Sequence, residues 1–220
     1  MEKKEKKNIA LNFYTMVWLF IIGAVIGWAV ELFVYWFKYD NFMYFQGFVY
    51  GPFQPVYGFG ALILAVMFIF FKNRGYLLIF LVGFLAFGVF EYFSSWIQEV
   101  LFDSFTWNYT NFFRFHLHGR VNLLYCTLFA ILTVIWIKFI HQRILDFFDR
   151  FQHKSWKVIT IVVTVFLVIN CFLTIMATVR FVNRYKEIPP RNSFEQFIDK
   201  RYDDKFMRRW LPKVRVIPND

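Results

Sequence analysis

Residues 158–179 read VITIVVTVFLVINCFLTIMATV, a run without a single charged side chain. A helix of roughly 20 such residues spans the hydrocarbon core of a bilayer, where every backbone N–H and C=O must find its partner inside the segment. Working outward, the enclosing run at 156–182 meets that demand. Four more apolar runs precede it, at 12–38, 55–71, 76–101 and 121–141. The second is the shortest, and Lys72-Asn73-Arg74-Gly75 turns the chain between the second and the third. These runs predict an all-α fold, a polytopic membrane bundle of about five transmembrane helices within residues 12–185. A basic tail at 1–11 precedes it and a second basic tail at 186–220 follows.

Composition agrees, since only 18% of the residues are charged, against roughly a quarter in a soluble domain. The net charge of +10 suits either nucleic acid or a membrane surface. The basic residues flank the apolar runs, and no zinc-finger or RNA-binding motif accompanies them, which favours the membrane and argues against a nucleic-acid partner. Cys126 and Cys171 both fall inside apolar runs and read as packing residues, not as a disulfide framework. The first run is too long for a cleavable signal peptide and is expected to stay as a helix. No phosphate-binding G-x-x-x-x-G-K-[S/T] loop and no G-x-S-x-G elbow occurs, and His116-Leu117-His118 lacks further ligands, so neither cofactor nor metal is called for.

Two stretches show helical periodicity with a polar face. Ile140, Ile144, Phe147, Phe148 and Phe151 alternate with Arg143, Asp146, Asp149 and Arg150, predicting a helix that leaves the bilayer and lies along its surface. In the tail, Ser193 and Gln196 form a capping-box pattern. Phe194, Ile198, Tyr202, Phe206 and Trp210 then recur every four residues beside Lys200, Arg201, Lys205, Arg208 and Arg209. This predicts one interfacial amphipathic helix over 193–211, with anionic lipids as its partner; a solvated tail is the alternative. Basic residues in short segments place the N-terminus in the cytoplasm, which leaves the 11 basic residues from Arg180 onward outside.

The chain also repeats itself. Glu31-Leu32-Phe33-Val34-Tyr35-Trp36 matches Glu91-Tyr92-Phe93-Ser94-Ser95-Trp96 as E-x-F-x-x-W, and Gly51 to Tyr57 matches Gly119 to Tyr125 as G-x-x-[Q/N]-x-x-Y. The same order of signals in both predicts two duplicated hairpins, 12–71 and 76–141, related by an axis along the membrane normal. A carboxylate in a spanning helix costs about 2.5–3.5 kcal/mol on insertion scales, so Glu31 and Glu91 need a partner, a proton or a wet cavity. Gly23, Gly27 and Glu31 share one face of the first helix, and Gly88, Glu91, Ser95 and Gln98 one face of the third, so both acids are expected to point inward. Odd helices end where even helices begin, so Glu31, Gln54, Tyr57, Glu91, Gln98, Arg120, Asn122 and Tyr125 are expected to gather in one leaflet. Arg120 is the expected counter-ion, because a guanidinium grips carboxylates in pairs of bonds. Such a cluster either lines a binding cavity for a small polar or anionic solute, or locks the helices together. Trp107 and Tyr109 read as members of the interfacial aromatic belt.

At these residues the chain resembles a family of small bacterial membrane proteins labelled type IV ABC-transporter permeases, whose activity is largely unassigned. The resemblance runs from Gly47-Phe48-Val49-Tyr50-Gly51-Pro52-Phe53-Gln54-Pro55-Val56-Tyr57-Gly58-Phe59-Gly60 through Glu91, Ser94-Ser95-Trp96, Glu99 and Trp107-Asn108-Tyr109 to Gly119-Arg120. Gln54 stands where the family pattern has a cysteine, and His118 where it has an asparagine. The resemblance implies transport across the bacterial plasma membrane, with a homodimer or a separate ATPase subunit as the partner. Two other functions stay open: acid–base chemistry on a lipid headgroup, with Arg120 on the phosphate, and a purely structural or interaction role.

Overall fold

The computed structural model describes residues 12–40, 46–111, 114–149 and 154–218; the basic N-terminal tail, Arg150 and Phe151 lie outside them. Every apolar run forms a helix. In chain order these are α1 (Phe13–Tyr39), α2 (Pro55–Phe71), α3 (Tyr76–Phe102) and α4 (Leu123–Ile135), which passes through a π-helical turn (Trp136–Ile140) into α5 (His141–Asp149), and then α6 (Lys154–Tyr185). Four stretches are long and apolar enough to cross a membrane: Phe13–Lys38, Tyr76–Phe102, Leu123–Phe148 and Ser155–Tyr185. The side chains are distributed as lipid solvation requires. Phe33, Phe37, Leu77, Leu85, Val162 and Val168 are exposed, whereas Thr133, His141, Thr160, Asn170 and Arg180 are buried. The chain is an all-α membrane helix bundle.

At 17 residues, α2 is shorter than the other four, and its neighbours explain why. The α1–α2 hairpin packs through the small residues of α1: a Cβ on Gly23 would come within 2.6 Å of Ala61, and one on Gly27 within 2.2 Å of the Tyr57 ring. The backbone N–H of Gln54, just before α2, bonds to the carbonyl of Ala24 at 3.0 Å. Ala24 lies about 22 Å, at 1.5 Å per residue, from the C-terminal end of α1. So α2 starts deep beside the middle of α1, and the 46–54 loop folds back into the bundle to meet it. The second hairpin, α3 with α4, also packs closely. Phe87 stacks on Phe129 at 5.2 Å, and a Cβ on Gly88 would touch Cys126 and Val121, although α3 continues to Phe102. Irregular backbone at that depth is tolerated only where protein covers it. Here Asn170 of α6 clasps the backbone of Tyr50 with two bonds, 2.6 and 3.1 Å, and Thr174 accepts from Val49 N–H.

The two ends of the bundle differ. At one, Lys138 caps the carbonyls of Lys72 and Arg74, and Trp18 stacks on Trp156 at 4.4 Å. Here α5 departs from the surface helix expected: Leu145 and Phe148 are buried against α1, α2 and α3. The periodicity is present, but the π turn re-aims its apolar face into the bundle. At the other end lie four two-residue strands, β1 (Ser104–Phe105), β2 (His116–Leu117), β3 (Val121–Asn122) and β4 (Arg215–Val216); β1 pairs with β4 and β2 with β3, both antiparallel.

The C-terminal tail also departs from expectation. It forms two helices, α7 (Ser193–Arg201) and α8 (Asp204–Trp210), capped by Asn192 and Asp203 and not by Ser193. Asp203 accepts from Phe206 N–H, so a new cap interrupts what would otherwise be one continuous pattern. Part of its apolar side faces protein: Ile198, Tyr202, Met207 and Leu211 are buried against Val49, Ala177 and Phe181, while Phe194 and Phe197 stay exposed. The tail is clamped by Arg180, 1% exposed, which donates two bonds to Asp199 at 3.0 and 2.7 Å and one to Glu195. Arg184 joins Asp199 and Asp204. Burial alone would raise the Asp199 carboxyl, but hydrogen bonds from Arg180 and Arg184 outweigh it and hold the group below the usual carboxylate range.

Candidate functional site

The polar groups gather at the tail-bearing end in two subsites. In the first, Glu31 of α1 accepts from Gln54 Nε2 at 2.8 Å and from the Tyr57 hydroxyl at 3.1 Å. The absence of a Cβ at Gly27 is what admits the Tyr57 ring against α1. Gln54 immediately precedes Pro55, the first residue of α2, and makes no capping bond to its own helix. Its amide is therefore directed at the acid. The carboxylate also sits beside the N-terminus of α2, where the helix dipole favours negative charge. Lys213 of the tail completes this subsite, with Nζ 2.7 Å from Glu31 Oε2.

In the second subsite, Glu91 of α3 accepts from the Tyr109 hydroxyl at 2.7 Å, and Tyr109 stacks on Tyr125 of α4 at 5.2 Å between ring centroids. Glu91 Oε2 is buried and accepts no hydrogen bond among the described residues. The subsites adjoin each other, since Tyr57 lies within electrostatic range of Glu91 and Tyr125 as well as Glu31. Two carboxylates and three phenols thus converge between the hairpins.

The other expected residues sit differently. Arg120 is not the counter-ion of Glu91. It pairs with Glu99, two turns further along α3, and lies over the Tyr92 ring at 5.3 Å. The reason is local: Tyr109 N–H binds the Gly119 carbonyl at 2.8 Å and Trp107 Nε1 the Arg120 carbonyl at 3.0 Å. These bonds place Tyr109 on Glu91 and leave the guanidinium to reach Glu99. Gly119 adopts a φ of +69° with Asn108 and Thr110 against its α-carbon, so a side chain there is both strained and obstructed. Asn122 caps α4, accepting from Leu124 and Tyr125 N–H and donating to the Phe115 carbonyl. Gln98 accepts from Thr106 at 2.5 Å. Arg120, Asn122 and Gln98 therefore shape the segment that carries Tyr109.

Tyr109 and Trp107 thus each hold a protein partner, and Lys213 and Asn170 escaped the sequence reading altogether. For Asn170 a signal existed: it is an amide inside a spanning run, with Thr174 one turn later on the same face. For Lys213 there was none. A groove of about 700 Å³ lies elsewhere, between α3, the start of α4 and residues 115–117. Leu85, Val89, Phe93, Leu117 and Leu123 line it, and none of the acids does.

The family described as Putative ABC-transporter type IV matches residues 18–175. The chain belongs to that family. The type IV ABC-transporter match spans α1 to most of α6, taking in both acid subsites and the Asn170 clasp, and stops before Arg180 and the tail. No curated protein and no solved structure matches the chain.

Proposed function

We propose that this protein is the permease subunit of a transporter and that the paired subsites of Glu31 and Glu91 bind a small polar solute. The observation that carries this is the convergence of two carboxylates on three phenols, with one oxygen of Glu91 buried and accepting nothing among the described residues. In a lipid-embedded bundle such groups are costly unless used. Arg120 is occupied by Glu99, so the pair of acids favours a solute that brings hydrogen-bond donors and positive charge; a site for anions would have kept the guanidinium inside. Coupling comes from protonation of a carboxylate or from a separate ATPase subunit. Lipid-headgroup chemistry is not favoured, because it needs Arg120 beside one of the two acids.

The two hairpins support a duplication: each pairs a long helix carrying a late acid with a short-starting helix fed by an inward-folded segment. The proposed orientation keeps the Lys72–Arg74 end in the cytoplasm and the acids in the outer leaflet. The basic tail weighs little against this, because long segments count less than short loops in setting orientation.

Guanidinium, urea and nitrate are planar ions and molecules of similar size with positive, zero and negative charge. Thermal stabilisation of the protein in nanodiscs should follow that order, and both Glu31→Gln and Glu91→Gln should abolish the guanidinium effect. Stabilisation by nitrate alone would show an anion site and overturn this assignment.

A further inference from the structure

The last stretch of the tail reaches the first subsite through Lys213. Beyond α8 the chain packs Leu211, Val214 and Val216 against the core around Ile198 and Tyr202 and makes backbone bonds to neighbouring segments. Trp210 accepts from Gln46 N–H at 3.3 Å, Ile217 N–H donates to the Asp103 carbonyl at 2.9 Å, and β4 pairs with β1 over two residues only. Between these contacts Lys213 reaches Glu31. Upstream the tail is anchored firmly, with Ile198, Tyr202 and Met207 buried and Arg180 clamped to Asp199 and Glu195. The result is a buried base carrying a strap whose polar side chains Lys213 and Arg215 reach solvent, and segments of that kind open before a packed core does.

The Lys213 ammonium has a specific chemical identity at this position. It is a cation with N–H donors, seated on a carboxylate that Gln54 and Tyr57 already orient. Its side chain is 37% exposed, so the pair is solvent-screened and readily exchanged. Resting on the transporter assignment above, we infer that the Glu31 subsite takes an ammonium- or guanidinium-type group of the solute, and that Lys213 is its built-in occupant, displaced when the solute binds. Entry of the solute is then coupled to release of the end of the tail from Glu31. A tethered competitor lowers apparent affinity by the fraction of time it occupies the site. Because the matched family region stops at residue 175, the strap is an addition outside that region acting on a subsite within it.

The test uses the full chain in neutral-lipid nanodiscs. Lys213 is acylated with an amine-reactive acetylating agent and followed by mass spectrometry, with guanidinium as the probe and urea and sodium at equal concentration as controls. Guanidinium should accelerate Lys213 acylation severalfold while the controls do not, and Lys213→Gln should bind guanidinium about tenfold more tightly than the unmodified chain. Should guanidinium bind both proteins equally, lose affinity in Glu31→Gln, and leave Lys213 acylation unchanged, the built-in occupant is refuted and the acid site stands. Should neither protein bind guanidinium, the site assignment fails and the strap fails with it. The labelling arm needs no variant, so it decides between these outcomes even where Lys213→Gln misfolds.

Discussion

Asp199→Asn is the most informative single change, because it attacks the joint between the tail and the membrane bundle. Arg180 is 1% exposed and Asp199 18%, so the substitution leaves a buried guanidinium with only Glu195 and the Ile188 carbonyl. Removing one partner of a buried pair costs about 3–5 kcal/mol. Glu195 remains, so the lower end applies, about 3 kcal/mol, or roughly a hundredfold in the docking equilibrium of the tail. Amide hydrogen exchange over 193–217 in nanodiscs reads that equilibrium directly, and exchange should quicken by about that factor while the core amides of α3 stay unchanged. The pH dependence carries a sign. The folded carboxyl lies below its ordinary value, so its contribution is fully present above the unfolded value near 4 and is lost as pH falls through the folded one. The unmodified protein should therefore lose tail protection in acid and approach the variant there, while the variant, which keeps the Glu195 and Asp204 pairs but lacks this carboxyl, changes less. If exchange in Asp199→Asn changes less than about threefold at neutral pH, docking does not depend on this clamp. The magnitude reasoned from burial would then be wrong.

Three further outcomes follow from particular contacts. Gly27→Ala places a methyl carbon 2.2 Å from the Tyr57 ring, so Tyr57 must leave Glu31; overpacking of this kind costs about 1–3 kcal/mol, and denaturation midpoints together with guanidinium binding should both fall. Asn122→Ala removes the α4 cap and should cost about 0.5–2 kcal/mol in equilibrium unfolding; an unchanged midpoint would argue against the cap. Tyr109→Phe takes from Glu91 the one hydrogen bond it accepts among the described residues, and should lower the stability read by equilibrium unfolding by about 1–3 kcal/mol.

The bundle itself was legible in the order of the residues. Apolar run length alone decides which segments can satisfy their backbone without water, and all the runs became helices. The inward direction of the acids was legible too, because Gly23 and Gly27 share a helix face with Glu31 and only small residues allow the neighbouring backbone so close. The membership of the site was partly legible: Glu31, Gln54 and Tyr57 meet as their common end of the bundle requires. The partner of Glu91 was not. Arg120 and Tyr109 lie in the same irregular segment, and sequence offers no period there; backbone bonds from Gly119 to Tyr109 and from Arg120 to Trp107 chose the phenol over the guanidinium. The tail shows the same limit. Its four-residue spacing correctly marks an apolar side, but spacing cannot say whether that side meets lipid or protein. Only the tertiary structure placed Asp199 and Glu195 over Arg180, and Lys213 over Glu31. Those contacts join residues far apart in the chain, and such pairings are set by the packed shape of the bundle, on which local periodicity has no hold.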